Sequence, residues 1–112
     1  RRVLFRSRLL LRNLLDNALR HSAGTTLPPE LHLRADGQGI RMEVRDHGPG
    51  VADDQLPHLA EPFFRPDAAR TRAQGGVGLG LFLCKLVAQA HGGTFVVRNA
   101  APGLAVTVTL PG

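Results

Sequence analysis

The sequence predicts an α+β fold, a two-layer α/β sandwich with helices packed on one face of a mixed, largely antiparallel sheet. Three observations carry that expectation. Apolar residues recur at helical spacing early in the chain, at positions 10, 11, 14, 15, 18 and 19. Two stretches of strict apolar/polar alternation follow, over residues 30–35 and 40–46. Downstream, a glycine-led helical segment and a second pair of alternating segments repeat the order helix, strand, strand.

The first helix is expected over residues 8–22. Its polar side carries Asn13, Asn17 and then Arg20 and His21, at steps that keep them on one face, a turn apart. Gly24 suits the position just past the helix end, and Pro28-Pro29 cannot lie inside a helix. In the first strand Leu31 and Leu33 share one face, with His32 and Arg34 on the other. A turn at residues 36–39 makes a hairpin with the second strand, which His47-Gly48-Pro49-Gly50 breaks. Residues 53–59 read as a short helix capped by an acidic residue. Residues 61–76, with Pro62, Pro66, Arg65, Arg70 and Arg72, have no clean period and read as a loop. A helix over residues 78–91 ends at Gly92-Gly93, and strands at 94–98 and 104–110 close a hairpin around residues 99–103.

Composition narrows the function classes. The 112 residues are 43% hydrophobic and 21% charged, which excludes wholesale disorder. The most apolar stretch, residues 78–90, is interrupted by Lys85 and is too short for a membrane span. A single cysteine, Cys84, excludes a disulfide framework and reads as a small packed residue. The 13 glycines cluster, as they do where backbone approaches a ligand.

The net charge of +5 invites a nucleic-acid reading, but the first seven residues complicate it. Arg-Arg-Val-Leu-Phe-Arg-Ser back-translates without mismatch to CGA CGT GTG CTC TTC CGA TCT, which resembles the end of a common short-read sequencing adapter. Residues 1–7 are therefore expected to be a non-native leader, with residues 8–112 an N-terminally truncated domain whose sheet has an uncovered edge. Setting aside Arg1, Arg2 and Arg6 leaves eleven basic against nine acidic side chains, so no nucleic-acid partner is expected. His32, His58 and His91 have no ligand spacing, so no histidine metal site is expected either.

Four clusters remain: Asn13-Leu-Leu-Asp-Asn17-Ala-Leu-Arg20-His21-Ser22, Asp46-His47-Gly48-Pro49-Gly50, Glu61-Pro62-Phe63-Phe64-Arg65, and Gly76-Val77-Gly78-Leu79-Gly80-Leu81. In that order, with His91-Gly92-Gly93 after them, they resemble the N, G1, F and G2 boxes of sensor histidine kinases, in the GHKL superfamily. The resemblance runs from about Arg8 to the C-terminus, and five motifs in register are specific where any one is weak. It implies the catalytic, ATP-binding domain of a two-component kinase, with ATP and Mg²⁺ as ligands. The γ-phosphoryl acceptor would be a histidine on the kinase's own dimerisation/phosphoacceptor hairpin, absent here, with a response regulator downstream. The full-length protein would be a homodimer, this domain lying on the cytoplasmic side of an inner-membrane-anchored kinase.

The chemistry of each cluster agrees. Asn17 offers a hard amide oxygen to Mg²⁺, and Asn13, Arg20 and His21 stand beside it toward nucleotide and phosphate, although a solvated helix face would look the same. Asp46 can accept adenine amino hydrogens while Gly48 and Gly50 let the base approach, the plainer reading being a turn aspartate; His47 has no evident role. Gly76, Gly78, Leu79 and Gly80 enter a helix and can present backbone N–H groups to phosphate, without the Lys-Ser/Thr of a P-loop. By the resemblance Phe63 and Phe64 anchor an ATP lid that carries Arg65, Arg70 and Arg72, where a guanidinium can stabilise γ-phosphate charge. Which of the three does so is open, with Arg65 taken as catalytic beside Asn17 and Arg72 as nucleotide-binding. Phe63 and Phe64 also suit an ordinary core, and Arg70 a solvated loop. Hydrolysing GHKL relatives carry a Glu where this chain has Asn13, which lacks the basicity to activate water. That difference favours transfer over a GHKL-type ATP hydrolase. The F box and long G2 helix favour the sensor-kinase branch over an anti-sigma-like kinase, and the intact boxes argue against a non-catalytic nucleotide-binding regulator.

Overall fold

The computed structural model describes residues 2–22, 24–62 and 80–112. Its elements are α1 (Arg2–His21), β1 (Glu30–Asp36), β2 (Gly39–Arg45), a 3-10 helix (Asp53–His58), α2 (Gly80–Ala90), β3 (Thr94–Asn99) and β4 (Leu104–Pro111). The strands lie in the order β1-β2-β4-β3, each antiparallel to its neighbour. α1 packs on β2, α2 packs on β3 and β4, and the helices touch one another, giving the expected helix layer over a sheet.

The pleat explains the core. Across the sheet, Val44 stands opposite Val106 and Met42 opposite Val108, and all four are buried under the helices. Leu10, Leu14 and Ala18 of α1 and Leu81, Cys84 and Ala88 of α2 meet them at helical spacing. The other face of β4 carries Thr107, whose hydroxyl donates to Glu43 Oε1, which Arg98 also reaches at 3.1 Å. Burial works against ionising Glu43, but those two donors together with the charges of Arg98 and Arg41 hold its carboxyl below the usual range. On β1, Leu31 and Leu33 pair with Val44 and Met42, yet they are 42% and 60% exposed, because among the described residues the helices pack chiefly on β2, β3 and β4.

Two expectations need correction. α1 starts at Arg2 rather than near Arg8: residues 2–7 hold no Gly or Pro, and each added residue extends the hydrogen-bonded ladder. The short helix is of the 3-10 type and has no acidic cap. Ala52 takes the cap position with no side-chain bond, while Asp53 accepts a hydrogen bond from Asn99. α2 closes as anticipated at the glycine pair, with Gly93 N–H donating to Ala88 O and Gly92 N–H to Gln89 O.

Cys84 is fully buried between α2 and the sheet, and burial pushes its thiol up to about 12. Native protein at mildly alkaline pH should give no colour with a disulfide reagent such as DTNB, and the single thiol should titrate only after unfolding. Fast reaction of the native protein would show that the helix layer opens far more readily than its packing implies.

Candidate functional site

β2 delivers the central group. Met42, Val44 and Asp46 follow the inward alternation, so the residue just past the strand end enters the core, where Asp46 is 1% exposed. Its backbone N–H donates to Leu104 O at 2.9 Å. Oδ1 accepts two backbone donors, Gly48 N at 2.9 Å and Leu104 N at 3.2 Å. Oδ2 accepts none among the described residues. One carboxylate oxygen thus fixes the side chain while the other is left as an acceptor without a donor among the described residues.

Backbone closes around it from two sides. A Cβ on Gly48 would stand 1.8 Å from His21 O, so the end of α1 rests directly on the loop. A Cβ on Gly103 would stand 2.0 Å from Asp46 O, and Gly103 also has φ +89°, so the β3–β4 turn forms the opposite wall. The structure therefore brings Asp46, Gly48 and Gly50 together with His21.

On α1, Asn13 and Asn17 are half-buried beside the Leu14 and Ala18 stripe. Neither amide makes a hydrogen bond among the described residues, so the oxygen of Asn17 is free to serve a hard cation. Arg20 is exposed in the last turn. Gly80 is the first residue of α2. Phe63, Phe64, Arg65, Arg70, Arg72, Gly76, Gly78 and Leu79 lie outside the described residues.

Three contacts had no sequence signal. His47, to which spacing assigns no role, donates through Nε2 to Glu30 Oε2 at 2.7 Å and fastens the Asp46 loop to the start of β1. With His32 at 3.3 Å from the other oxygen, these hydrogen bonds hold the Glu30 carboxyl below its usual range. Arg45 Nη2 donates to the carbonyls of Ala100 and Pro102, at 3.3 and 3.2 Å. Asn99, legible only as a turn residue, grips Val51: Val51 N–H donates to Oδ1 at 3.2 Å, and Nδ2 donates to Val51 O at 2.8 Å.

Known proteins resemble this chain in sequence and in fold. Residues 5–112 match the family model described as histidine kinase-, DNA gyrase B-, and HSP90-like ATPase. The chain is 39% identical over 104 residues to the signal transduction histidine-protein kinase BaeS of Escherichia coli (strain K12), covering 91% of this chain and 22% of that protein. It is 44% identical over 96 residues to the sensor protein QseC of Salmonella typhimurium, covering 85% of this chain and 19% of that one. The chain thus spans about a fifth of the length of these curated relatives. Among solved structures, the mycobacterial sensor histidine kinase MprB superposes with a TM-score of 0.77 at 34% identity, over 92% of this chain and 70% of its own. Full-length ShkA in complex with AMPPNP gives 0.75 at 32%, over 95% of this chain and 21% of its own. A buried strand-end aspartate between glycines, the amide-bearing helix packed against it and a match across nearly the whole chain together place this protein in the histidine kinase-, DNA gyrase B- and HSP90-like ATPase family.

Proposed function

We propose that this chain binds Mg-ATP and presents its γ-phosphoryl group to a histidine on a separate phosphoacceptor helical hairpin, as the catalytic domain of a two-component sensor kinase. An imidazole nitrogen would bond to the γ-phosphorus as the β–γ bridge breaks and ADP leaves. The partners that follow are that hairpin and a downstream response regulator, with the full-length protein a homodimer anchored at the inner membrane and this domain on its cytoplasmic side. Among the described residues no helix is long and apolar enough to cross a membrane.

The unspent Oδ2 of Asp46 carries the reading. It accepts a hydrogen from the adenine amino group, while Oδ1 stays tied to Gly48 and Leu104. Asn17 is the residue that would hold Mg²⁺, which when bound neutralises charge on the phosphate oxygens. Asn13, Arg20 and His21 line the same side of α1 toward the phosphates. Gly80 carries the opening N–H groups of α2, and Gly76, Gly78, Leu79, Arg65 and Arg72 are assigned to phosphate contact by their place in the motifs.

Asp46→Asn tests this by calorimetry with Mg-ADP. The two backbone donors require an oxygen at Oδ1, so the new amide nitrogen must occupy the place of Oδ2 and face the adenine amino group donor to donor. The mismatch should cost ~1–3 kcal/mol, on the order of tenfold in affinity. Equal ADP affinity for both proteins would remove Asp46 from base recognition.

A further inference from the structure

We infer that Asn99 is a positioning residue for base recognition, clamping the loop after Gly50 so that the Oδ2 of Asp46 keeps a fixed aim. The inference rests on the adenine reading above and extends it to a residue at the far end of β3. Loop residue Val51 belongs to no strand, so its N–H and C=O need partners from elsewhere. Asn99 supplies both through one amide, its oxygen accepting from Val51 N–H and its nitrogen donating to Val51 O. The two bonds fix which way the amide faces. The same nitrogen also reaches Asp53 Oδ1 at 3.1 Å, tying in the start of the 3-10 helix.

The clamp acts on the nucleotide side. A Cβ on Gly50 would lie 2.7 Å from Asn99 Oδ1 and 3.3 Å from Gly103 O, so the loop's last glycine is pressed between the clamp and the β3–β4 turn. Ala100 N–H donates to Gly103 O at 2.8 Å, and Arg45 holds the carbonyls of Ala100 and Pro102. Gly103 in turn abuts Asp46 itself. Asn99 therefore spans the two pieces of backbone that set where Asp46 points: the segment running on from Gly50 and the turn leading into Leu104. Losing it frees the loop without removing any group that touches the base.

Affinity for Mg-ADP and Mg-GDP, measured by calorimetry per folded molecule, tests this, because a fixed acceptor rewards adenine selectively. Asn99→Ala should weaken Mg-ADP roughly tenfold and narrow the ADP-to-GDP preference by a similar factor. A second variant guards against simple destabilisation. Asn99→Asp keeps the bond from Val51 N–H but sets a carboxylate oxygen against both Val51 O and Asp53, and adding Asp53→Asn relieves the second conflict by supplying a donor. The ADP-to-GDP preference should fall in Asn99→Asp and recover in part in the double variant, which still lacks the donor to Val51 O. If both nucleotides weaken equally, or the double variant recovers nothing, Asn99 does not position Asp46. A wild type with no preference for ADP would overturn the adenine reading and this inference together. A preference lost in Asp46→Asn but kept in Asn99→Ala would overturn the inference alone.

Discussion

Gly103→Ala is expected to lower the urea midpoint sharply and to abolish Mg-ADP binding in the same protein. A methyl group there would lie 2.0 Å from the carbonyl oxygen of Asp46, 2.6 Å from its carbon and 2.8 Å from Oδ1. The first two are backbone atoms that cannot rotate aside, and Asp46 N–H is itself bonded to Leu104 O in the paired sheet. The residue also sits at φ +89°, where any side chain adds strain. Overpacking and backbone strain each cost about 1–3 kcal/mol, a large part of the ~5–15 kcal/mol that holds a small domain together. Gly37→Ala is the control, since nothing lies within 4 Å of a Cβ at that turn. An unchanged midpoint for Gly103→Ala would mean that the turn does not pack on Asp46.

Asn13→Glu should raise ATP hydrolysis by up to ~10²-fold, the low end of general-base effects. Asn13 and Asn17 stand one turn apart on the half-buried flank of α1, so a carboxylate at 13 faces the region served by the Asn17 amide. An amide at 13 cannot accept a proton from attacking water, and the wild-type chain should turn ATP over very slowly. Asn17→Ala in the Asn13→Glu background should erase the gain by removing the metal ligand. Steady-state phosphate release from the three proteins at saturating Mg-ATP reads all of this. Brisk wild-type hydrolysis that ignores Asn13→Glu would favour the hydrolase alternative over phosphotransfer.

The order of elements was legible because its causes are local. Leu10, Leu14 and Ala18 bury at the spacing of the helix, and Met42 and Val44 at the spacing of the strand. Asp46 was legible for a similar reason: a carboxylate at a strand end followed by Gly48 and Gly50 is a contiguous pattern, and strand alternation alone turns it inward. The short acidic segment was misread because Asp53 has two possible uses, a cap on its own helix or an acceptor for Asn99, and the distant partner took it.

What only the tertiary structure decided is which distant segments share hydrogen bonds. Asn99 meets Val51 across 48 residues, Arg45 meets Pro102 across 57, and Leu104 meets Asp46 across 58, separations that leave no periodic trace in the chain. The same holds for the apolar face of β1. Alternation marks Leu31 and Leu33 as inward, but only the placement of α1 over β2 leaves them exposed. The sequence by itself determined which residues can bury and which can bind, because periodicity and turn chemistry act between near neighbours. The closing of the β3–β4 turn onto Asp46 determined how that carboxylate is held, because backbone groups outside any strand must find partners wherever the fold brings them.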